Sequence, residues 1–566
     1  MLNKFVDIIV YLYSDEDRVK ECLEAIVCNS TDHNLVIIND NLGSPITKYL
    51  LGFSSLHPCL LIENLDTLGF SRSVNKAIRA SYSPYLVVLD SRTIVSKDWL
   101  GNMLEAINVD DATGVVAPLL DTDIYGTENP PFNLEMTATI VENASGERFP
   151  VLSLEKRPCL MIKRSLFNRT GLLNESVDRD AAMRELCFKV TKQGVLTRIA
   201  DHCCVSSKAD GTRIIDPDFQ QVIKNIQQLS SSIDLKAVFD KSILFLLPLG
   251  KSKDALMDEV TELRRCGINV HAAVLKEDDG PLDLSADIVV ATDHISVRYL
   301  KRLMDKGLDI TPMYYIQDYE VWSFPRHDLK RTIEAAQSYT LIPSMVLFTK
   351  TRWLCDVVKA WHGIDVFKIT LGLDKSIFYA YSTRPRRITG PIRITAIVRP
   401  RDFIHVSREI LNILKIIKNR YKGEVDIRVF GCADEELDLM EESRGFRFVN
   451  LGELKKEEVV ELLRGCDIFV DSSPYQDLGC TGLEAMAVGC AAVLPGNCGS
   501  SEYAQDRENC LITDVEDRDG IVSAVETLIE DKRLLAHVKE QGIKTARAYS
   551  LRKTIWSEIL LFRRVL

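Results

Sequence analysis

Several things are scarce in this sequence, and each scarcity excludes something. No run of roughly 18 apolar residues occurs, and no basic, apolar and small-residue leader stands before Val6–Val10. The expectation is a soluble cytoplasmic protein with reduced thiols. Fifteen cysteines are present, yet none form a Cys-x-x-Cys pair with a matching histidine set, which excludes a structural zinc site and a dithiol redox motif. Those cysteines read as small buried hydrophobes. Positive charge is also short: the formal net charge is −11, which argues against nucleic-acid partners, because phosphate backbones are held by clustered Lys and Arg. A local basic cluster can still hold a diphosphate. With 46% hydrophobic and 27% charged residues, the composition carries no sign of disorder.

At 566 residues the chain exceeds a single hydrophobic core, and three or four domains are expected. Val6–Val10, Leu35–Ile38, Cys59–Ile62 and Tyr85–Leu89 read as strands between amphipathic segments, an α/β pattern that continues to about Ser206. Residues from Ile214 to about Leu235 are rich in Gln and then Ser and read as a part-helical connector. Ser242–Leu247 is a continuous apolar run suited to a strand buried on both faces. Leu256, Val260 and Leu263 then mark a helix ending at Gly267, and Val270–Val274 resumes as strand. A further unit starts at Ile392–Val398, followed by a helix with Val406, Ile410, Ile413, Leu414 and Ile417 on one face and a strand at Asp426–Phe430. Two successive doubly wound domains place ligands beyond the carboxyl ends of their strands, so the chemistry belongs in the βα loops.

Cys466–Pro474 reads as a strand running into a loop, and Thr481–Gly489 as the start of a short helix. A helix N-terminus offers unpaired N–H groups to a diphosphate, Glu484 in the first turn can accept from sugar hydroxyls, and Gly482 would let the backbone approach a ligand. An isolated Glu at that position would by itself mean no more than a favourable helix dipole. Together with Leu451–Leu454, Gly499–Glu502 and Asn509–Ile512, however, these segments resemble the C-terminal domain of family-4 glycosyltransferases of the GT-B fold, over about residues 240–550. In that family two glutamates eight positions apart mark the donor site. Glu484 matches the second, which holds the ribose, and Gln476 stands at the first, where the sugar is held. Gln keeps the hydrogen-bonding shape but lacks the charge that would favour an oxocarbenium-like transition state.

The same resemblance makes Arg399 and Arg401 a diphosphate clamp and adds Thr481, Gly482 and Glu502 to the donor side. Gly250 follows a strand and Asp293 and His294 end another at the expected cleft, which puts them on the acceptor side, although a lone His is more often structural. Leu371–Asp374 with Phe378 resembles a structural interdomain signature. Tyr314–Glu320, followed by Trp322 and Pro325, resembles bacterial polysaccharide rhamnosyltransferases of this family.

In the first half, Ile37–Asp40, Glu63–Phe70 with Asn75, and Leu89–Arg92 with Trp99-Leu100 resemble a family-2 glycosyltransferase of the GT-A fold, over about residues 5–206. The resemblance implies a nucleotide site at Asp40, Asn75 and Asp90. The family's D-x-D metal motif reads Asp90-Ser-Arg92 here, and an Arg in a ligand position repels Mg²⁺ or Mn²⁺, so no metal site is expected. Ala182-Met183 stands where an acidic pair supplies the general base, leaving only Asp180 or Glu185 to substitute. The site is thus vestigial, or Arg92 contacts phosphate in the metal's place.

The resulting expectation is an α/β chain with a GT-A-like, degenerate domain over 1–210, a linker over 211–240, and a GT-B fold of two Rossmann-like doubly wound domains over 241–388 and 389–566. It would move a sugar, with retention and without a cofactor, from a dTDP-, UDP- or GDP-sugar to a glycan or lipid-linked acceptor in polysaccharide biosynthesis. Two rivals stay open: a bifunctional enzyme using both modules, and a non-catalytic glycan-binding scaffold. The tail Ile559–Leu566, apolar with two arginines, offers either peripheral contact with the inner membrane face or packing onto the core.

Overall fold

The computed structural model describes residues 4–13, 15–127, 130–152, 157–207, 216–232, 235–247, 252–275, 286–325, 327–382, 388–400, 407–473 and 478–566. Of the residues singled out above, Gly250, Arg401, Val406 and Gln476 lie outside them. The chain divides into two compact units. One comprises Met1–Asp234 with Lys375–Ile377, and the other Leu235–Asp374 with Phe378–Leu566.

The first unit is built on a mixed sheet of eight strands: β1 (Val6–Tyr11), β2 (His33–Asn39), β3 (Cys59–Glu63), β4 (Tyr85–Asp90), β5 (Thr93–Val95), β6 (Thr113–Leu120), β7 (Cys159–Lys163) and β8 (Leu196–Ser207). Their order is β3-β2-β1-β4-β7-β6-β8-β5. The first four strands are parallel, and β7 runs antiparallel to both neighbours. Parallel strands covered on both faces need apolar residues throughout, and β4 is buried along its whole length.

The polar stretch read as a connector is largely a packed helix. Pro217–Ser232 buries Phe219, Val222, Ile223 and Ile226, which fall at i, i+3, i+4 and i+7, and it contacts the helix Leu134–Ala144 of the first unit. The Gln and Ser residues decorate its solvent face, and that composition hid the apolar stripe. The first unit therefore runs to Asp234 rather than ending near residue 210.

Within the second unit, β9 (Ile243–Leu247), β10 (Val270–Val274), β11 (Ile288–Ala291), β12 (Thr311–Tyr315), β13 (Val346–Thr349) and β14 (Phe367–Lys368) form one parallel sheet, ordered β10-β9-β11-β12-β13-β14. The other sheet holds β15 (Ile392–Ile397), β16 (Val425–Phe430), β17 (Val449–Asn450), β18 (Ile468–Val470), β19 (Ala491–Pro495) and β20 (Leu511–Thr513). Its order, β17-β16-β15-β18-β19-β20, is that of a dinucleotide-binding fold. The order in which strands are added reverses between β9 and β11 in one sheet and between β15 and β18 in the other, and such switch points open crevices where ligands bind. Leu256, Val260 and Leu263 are fully buried, and so are Ile413, Leu414 and Ile417.

The helix Leu551–Val565 closes the chain by packing on the helices Ser252–Arg265 and Lys236–Phe239, with Ile559 and Phe562 fully buried and Phe562 edge-on to Phe245. Ile559, Leu561 and Phe562 of the tail are thereby buried inside the fold, while Leu566 stays exposed. Among the described residues no helix is long and apolar enough to cross a membrane.

Candidate functional site

At the switch point of the second sheet, Arg399 lies exposed just beyond β15, and its backbone N–H donates to Ser407 Oγ at 2.9 Å. Beyond β18, Asp471, Ser472 and Ser473 are buried, and Asp471 accepts the backbone N–H of Ser473 at 2.9 Å. The helix Cys480–Ala487 then begins, preceded by Gly479 at φ +62°, where a Cβ would stand 2.7 Å from the backbone nitrogen of Ser500. Only glycine fits that turn. Tyr503 fastens it by donating its hydroxyl to the Gly479 carbonyl at 2.5 Å.

Glu484 sits half-buried on this helix. Burial pushes its carboxyl up to about 7, while the positive charges of Lys456 and Arg399 pull it back down. A carboxyl poised near neutrality beside two cations suits a site that receives an anionic, hydroxyl-rich ligand. Thr481 is half-buried in the first turn of the same helix.

Lys456, passed over in the sequence, opens the helix Lys456–Gly465, and its Nζ lies 3.0 Å from Asp258 and 3.6 Å from Asp374. Burial works against its charge, but Asp374 and Asp258 outweigh burial and raise its pKa. No motif marks it, because Lys455-Lys456 before an amphipathic helix looks like a solvated pair. Asp374 closes the Leu371–Asp374 signature, where Gly372 is required: a Cβ there would stand 2.1 Å from the Ser550 carbonyl.

Four of the residues assigned to the donor and acceptor sides are held by contacts of their own. Gly482 has a packing reason to be glycine, since a Cβ there would meet the Tyr503 hydroxyl at 2.5 Å and Leu494 at 2.7 Å; its absence lets the helix pack on β19. Glu502 is engaged elsewhere: one oxygen pairs with Lys368 at 2.5 Å, and the other accepts the backbone N–H of Arg352 at 3.1 Å, bracing the two Rossmann-like halves. Asp293 caps the helix His294–Asp305, accepting the Ser296 N–H at 2.7 Å. His294, beside it, pairs with Glu320.

In the first unit, Asp40 accepts hydrogen bonds from Asn64 (2.8 Å), Leu68 N–H (2.9 Å), Gly69 N–H (2.8 Å), Tyr11 (3.0 Å) and Ser73 (3.3 Å). Burial would raise its pKa, but these donors together lower it. Asn75 donates to the Leu173 carbonyl and to Glu175, and accepts the Leu173 N–H, pinning a loop about a hundred residues away.

Asp90 is held from two sides. Arg92 grips it with Nε at 3.0 Å and Nη2 at 2.5 Å, and Arg179 adds Nη1 at 2.6 Å. Against the opposing effect of burial, these guanidinium groups lower its pKa. A divalent cation would have to displace both arginines. Met183 and Ala182 are buried, and Glu185 is tied to Lys189 and Asn174, whose hydrogen bonds lower its pKa and make it a weak base. Among the described residues no group of three or more His, Cys, Asp or Glu is placed to hold a metal ion.

Residues 7–171 match the model of glycosyl transferase family 2, and residues 409–545 match that of glycosyl transferases group 1. Over 90 residues the chain is 31% identical to the lipopolysaccharide core biosynthesis glycosyltransferase LpsE of Rhizobium meliloti, a match covering 16% of this chain and 26% of that relative. Over 183 residues it is 25% identical to an alpha-1,6-glucosyltransferase of Actinobacillus pleuropneumoniae, covering 32% of this chain and 53% of that protein. The chain thus spans about a quarter to a half of the length of these curated relatives. The sucrose-phosphate synthase structure from Thermosynechococcus elongatus aligns with a TM-score of 0.49 at 12% identity, covering 57% of this chain and 99% of that one. With the strand orders above, the chain is an α/β protein that joins a GT-A-like domain matching glycosyl transferase family 2 to a GT-B fold whose second Rossmann-like half matches glycosyl transferases group 1.

Proposed function

We propose that the second unit transfers a sugar from a nucleotide-sugar donor to a glycan or lipid-linked saccharide acceptor in polysaccharide or glycoconjugate biosynthesis. The observation that carries this reading is Glu484: a carboxyl raised to about 7 in the first turns of a helix at the switch-point crevice, with Lys456 and Arg399 as its charged neighbours, inside the segment matching a glycosyltransferase model. In this reading Arg399, with Arg401, neutralises the diphosphate. Glu484 holds the ribose, Thr481 supports the donor, and Gln476 orients the sugar. The bond from the anomeric carbon to the diphosphate oxygen breaks, the acceptor hydroxyl oxygen takes its place, and the acceptor's proton leaves with the departing nucleoside diphosphate. The motif resemblance adds retention of configuration, a hexose such as rhamnose, and work in the cytoplasm at the inner membrane face where the acceptor is lipid-linked.

The first unit, in the same proposal, binds acceptor or organises assembly without metal chemistry. The two arginines on Asp90 favour this over a bifunctional enzyme. The test is release of nucleoside diphosphate from a panel of UDP-, GDP- and dTDP-hexoses by the full chain. Turnover of one donor that vanishes in Glu484→Ala supports the assignment; full turnover in that variant refutes it.

A further inference from the structure

The Tyr314–Glu320 stretch converges on one carboxylate. Tyr314, fully buried in β12, donates its hydroxyl to Glu320 Oε1 at 2.8 Å. The backbone N–H of His294 donates to both oxygens of Glu320, at 2.9 and 3.2 Å, and the ring Nδ1 of His294 is bonded to Oε2. His294 opens its helix directly after β11, at the carboxyl edge of the sheet and at the switch point between β9 and β11. Its ring meets Phe324 edge-on at 5.5 Å, and Nε2 has no partner among the described residues. Tyr319, from the same stretch, lies in an apolar cluster against which Trp322 and Leu478 pack, Leu478 standing just ahead of the helix that carries Glu484.

Three carboxylates around the imidazole favour its cation. Burial would lower its pKa, but the hydrogen bond and charge of Glu320 outweigh burial, and Asp293 and Glu334 add to them, so the pKa is raised. Glu334 is itself paired with Arg298 at 2.8 Å. Burial pushes Glu320 up in turn, with His294 pulling it down and Asp293 adding to the rise. Which form the ring takes decides what it can do. With Nδ1–H given to Glu320, a neutral imidazole presents Nε2 as a bare acceptor, whereas the imidazolium presents Nε2–H as a donor.

We propose that Glu320 is a positioning residue for sugar transfer: by clamping the backbone and Nδ1 of His294, with Tyr314 steadying the carboxylate, it presents Nε2–H of His294 as a hydrogen-bond donor at the switch point, toward the oxygens of the bound sugar. The inference rests on the transferase reading above. It gives the Tyr314–Glu320 stretch its chemistry: a buried tyrosine and a carboxylate six residues on, folded back onto the first residue of a helix.

The experiment uses the full chain and two readouts. In protein labelled with ¹³C-histidine, the His294 signal, assigned by its loss in His294→Gln, should titrate above the ordinary histidine range and fall by about one unit or more in Glu320→Gln. In nucleoside diphosphate release from the UDP-, GDP- and dTDP-hexose panel, the alkaline limb of the kcat profile should move to lower pH in Glu320→Gln. The donor KM should stay within about twofold, and Tyr314→Phe should show a smaller shift in the same direction. An unchanged His294 titration overturns the proposal, and so does a uniform loss of kcat at every pH, the mark of a merely structural role. A wild-type chain that turns over no donor defeats the transferase reading and, with it, the role claimed for Glu320. An active wild type with an unshifted Glu320→Gln profile defeats this inference alone.

Discussion

Asp90 and Glu484, the carboxylates at the hearts of the two candidate sites, have opposite surroundings. Asp90 is fully buried, both its oxygens are occupied by guanidinium donors, and its pKa is driven down. Glu484 is half-buried, and its carboxyl is lifted to about 7 by lost hydration, against the pull of two cations. A saturated carboxylate is a structural element, whereas one whose charge is only partly compensated retains something to offer a ligand. The difference teaches that matching a family model says where a site is, and the hydrogen-bond partners of its acid say whether that site is free to act.

The strongest way to break the contrast is Glu484→Ala, expected to reduce kcat/KM for the donor on the order of 10²–10³ while far-UV circular dichroism stays unchanged. If the same loss came from Asp90→Asn, the contrast would be inverted. Arg399→Ala should act next, raising the KM for the nucleotide-sugar and the Kd for its nucleoside diphosphate by about tenfold or more, as removal of one charge-assisted hydrogen bond costs about 1.5–3 kcal/mol; calorimetric titration measures it.

Asp90→Asn itself should leave turnover within about twofold but lower Tm, because two guanidinium groups lose their counter-ion. Arg92 is 35% exposed, so the loss should be held by solvent to about 1–2 kcal/mol. The smallest and most diagnostic effect is in pH. Glu484, with a raised folded pKa, favours the fold below its unfolded value near 4.3 and loses that contribution as pH rises through about 7. Asp90, with a lowered pKa, contributes above the unfolded value near 3.9 and loses it on acidification. Glu484→Gln should therefore gain Tm over the wild type at pH 8 and show little gain at pH 5. Asp90→Asn should be most costly at neutral pH and least costly near pH 3.

What could be read in the sequence was whatever periodicity and local spacing encode. The apolar runs at Ser242–Leu247 and Ile392–Val398 announced their strands, and Leu256, Val260 and Leu263 announced their helix. Composition misled at Pro217–Ser232, where Gln and Ser outnumber the four residues that bury the helix. Motifs singled out Glu484 and Arg399 but not Lys456, because Lys456 comes from another helix and carries no motif. Arg92 was visible beside Asp90, whereas Arg179, 89 residues away, is brought to it only by the fold. Gly482 and Glu502 stood at the right spacing for a donor site, yet the atoms around them give one a packing duty and the other a bracing duty. Spacing identifies a position, and only the neighbouring atoms disclose its task.

Three residues far along the chain change what counts as a piece of this protein. Lys375–Ile377 belong to the first unit, and Lys375, 5% exposed, lies 3.6 Å from both Glu105 and Glu142, themselves nearly buried. A gene truncated after codon 234 would encode every strand of the first sheet and still lack that cation, taking the counter-charge from two enclosed acids at a cost on the order of 3 kcal/mol. The first unit is thus assembled from two separated stretches, and a fragment must reach Ile377 to contain both of them. A recombination event that took only the coding sequence for residues 1–234 would not transplant the first unit intact, and the truncated protein's poor behaviour would report the missing lysine before it reported any loss of catalysis.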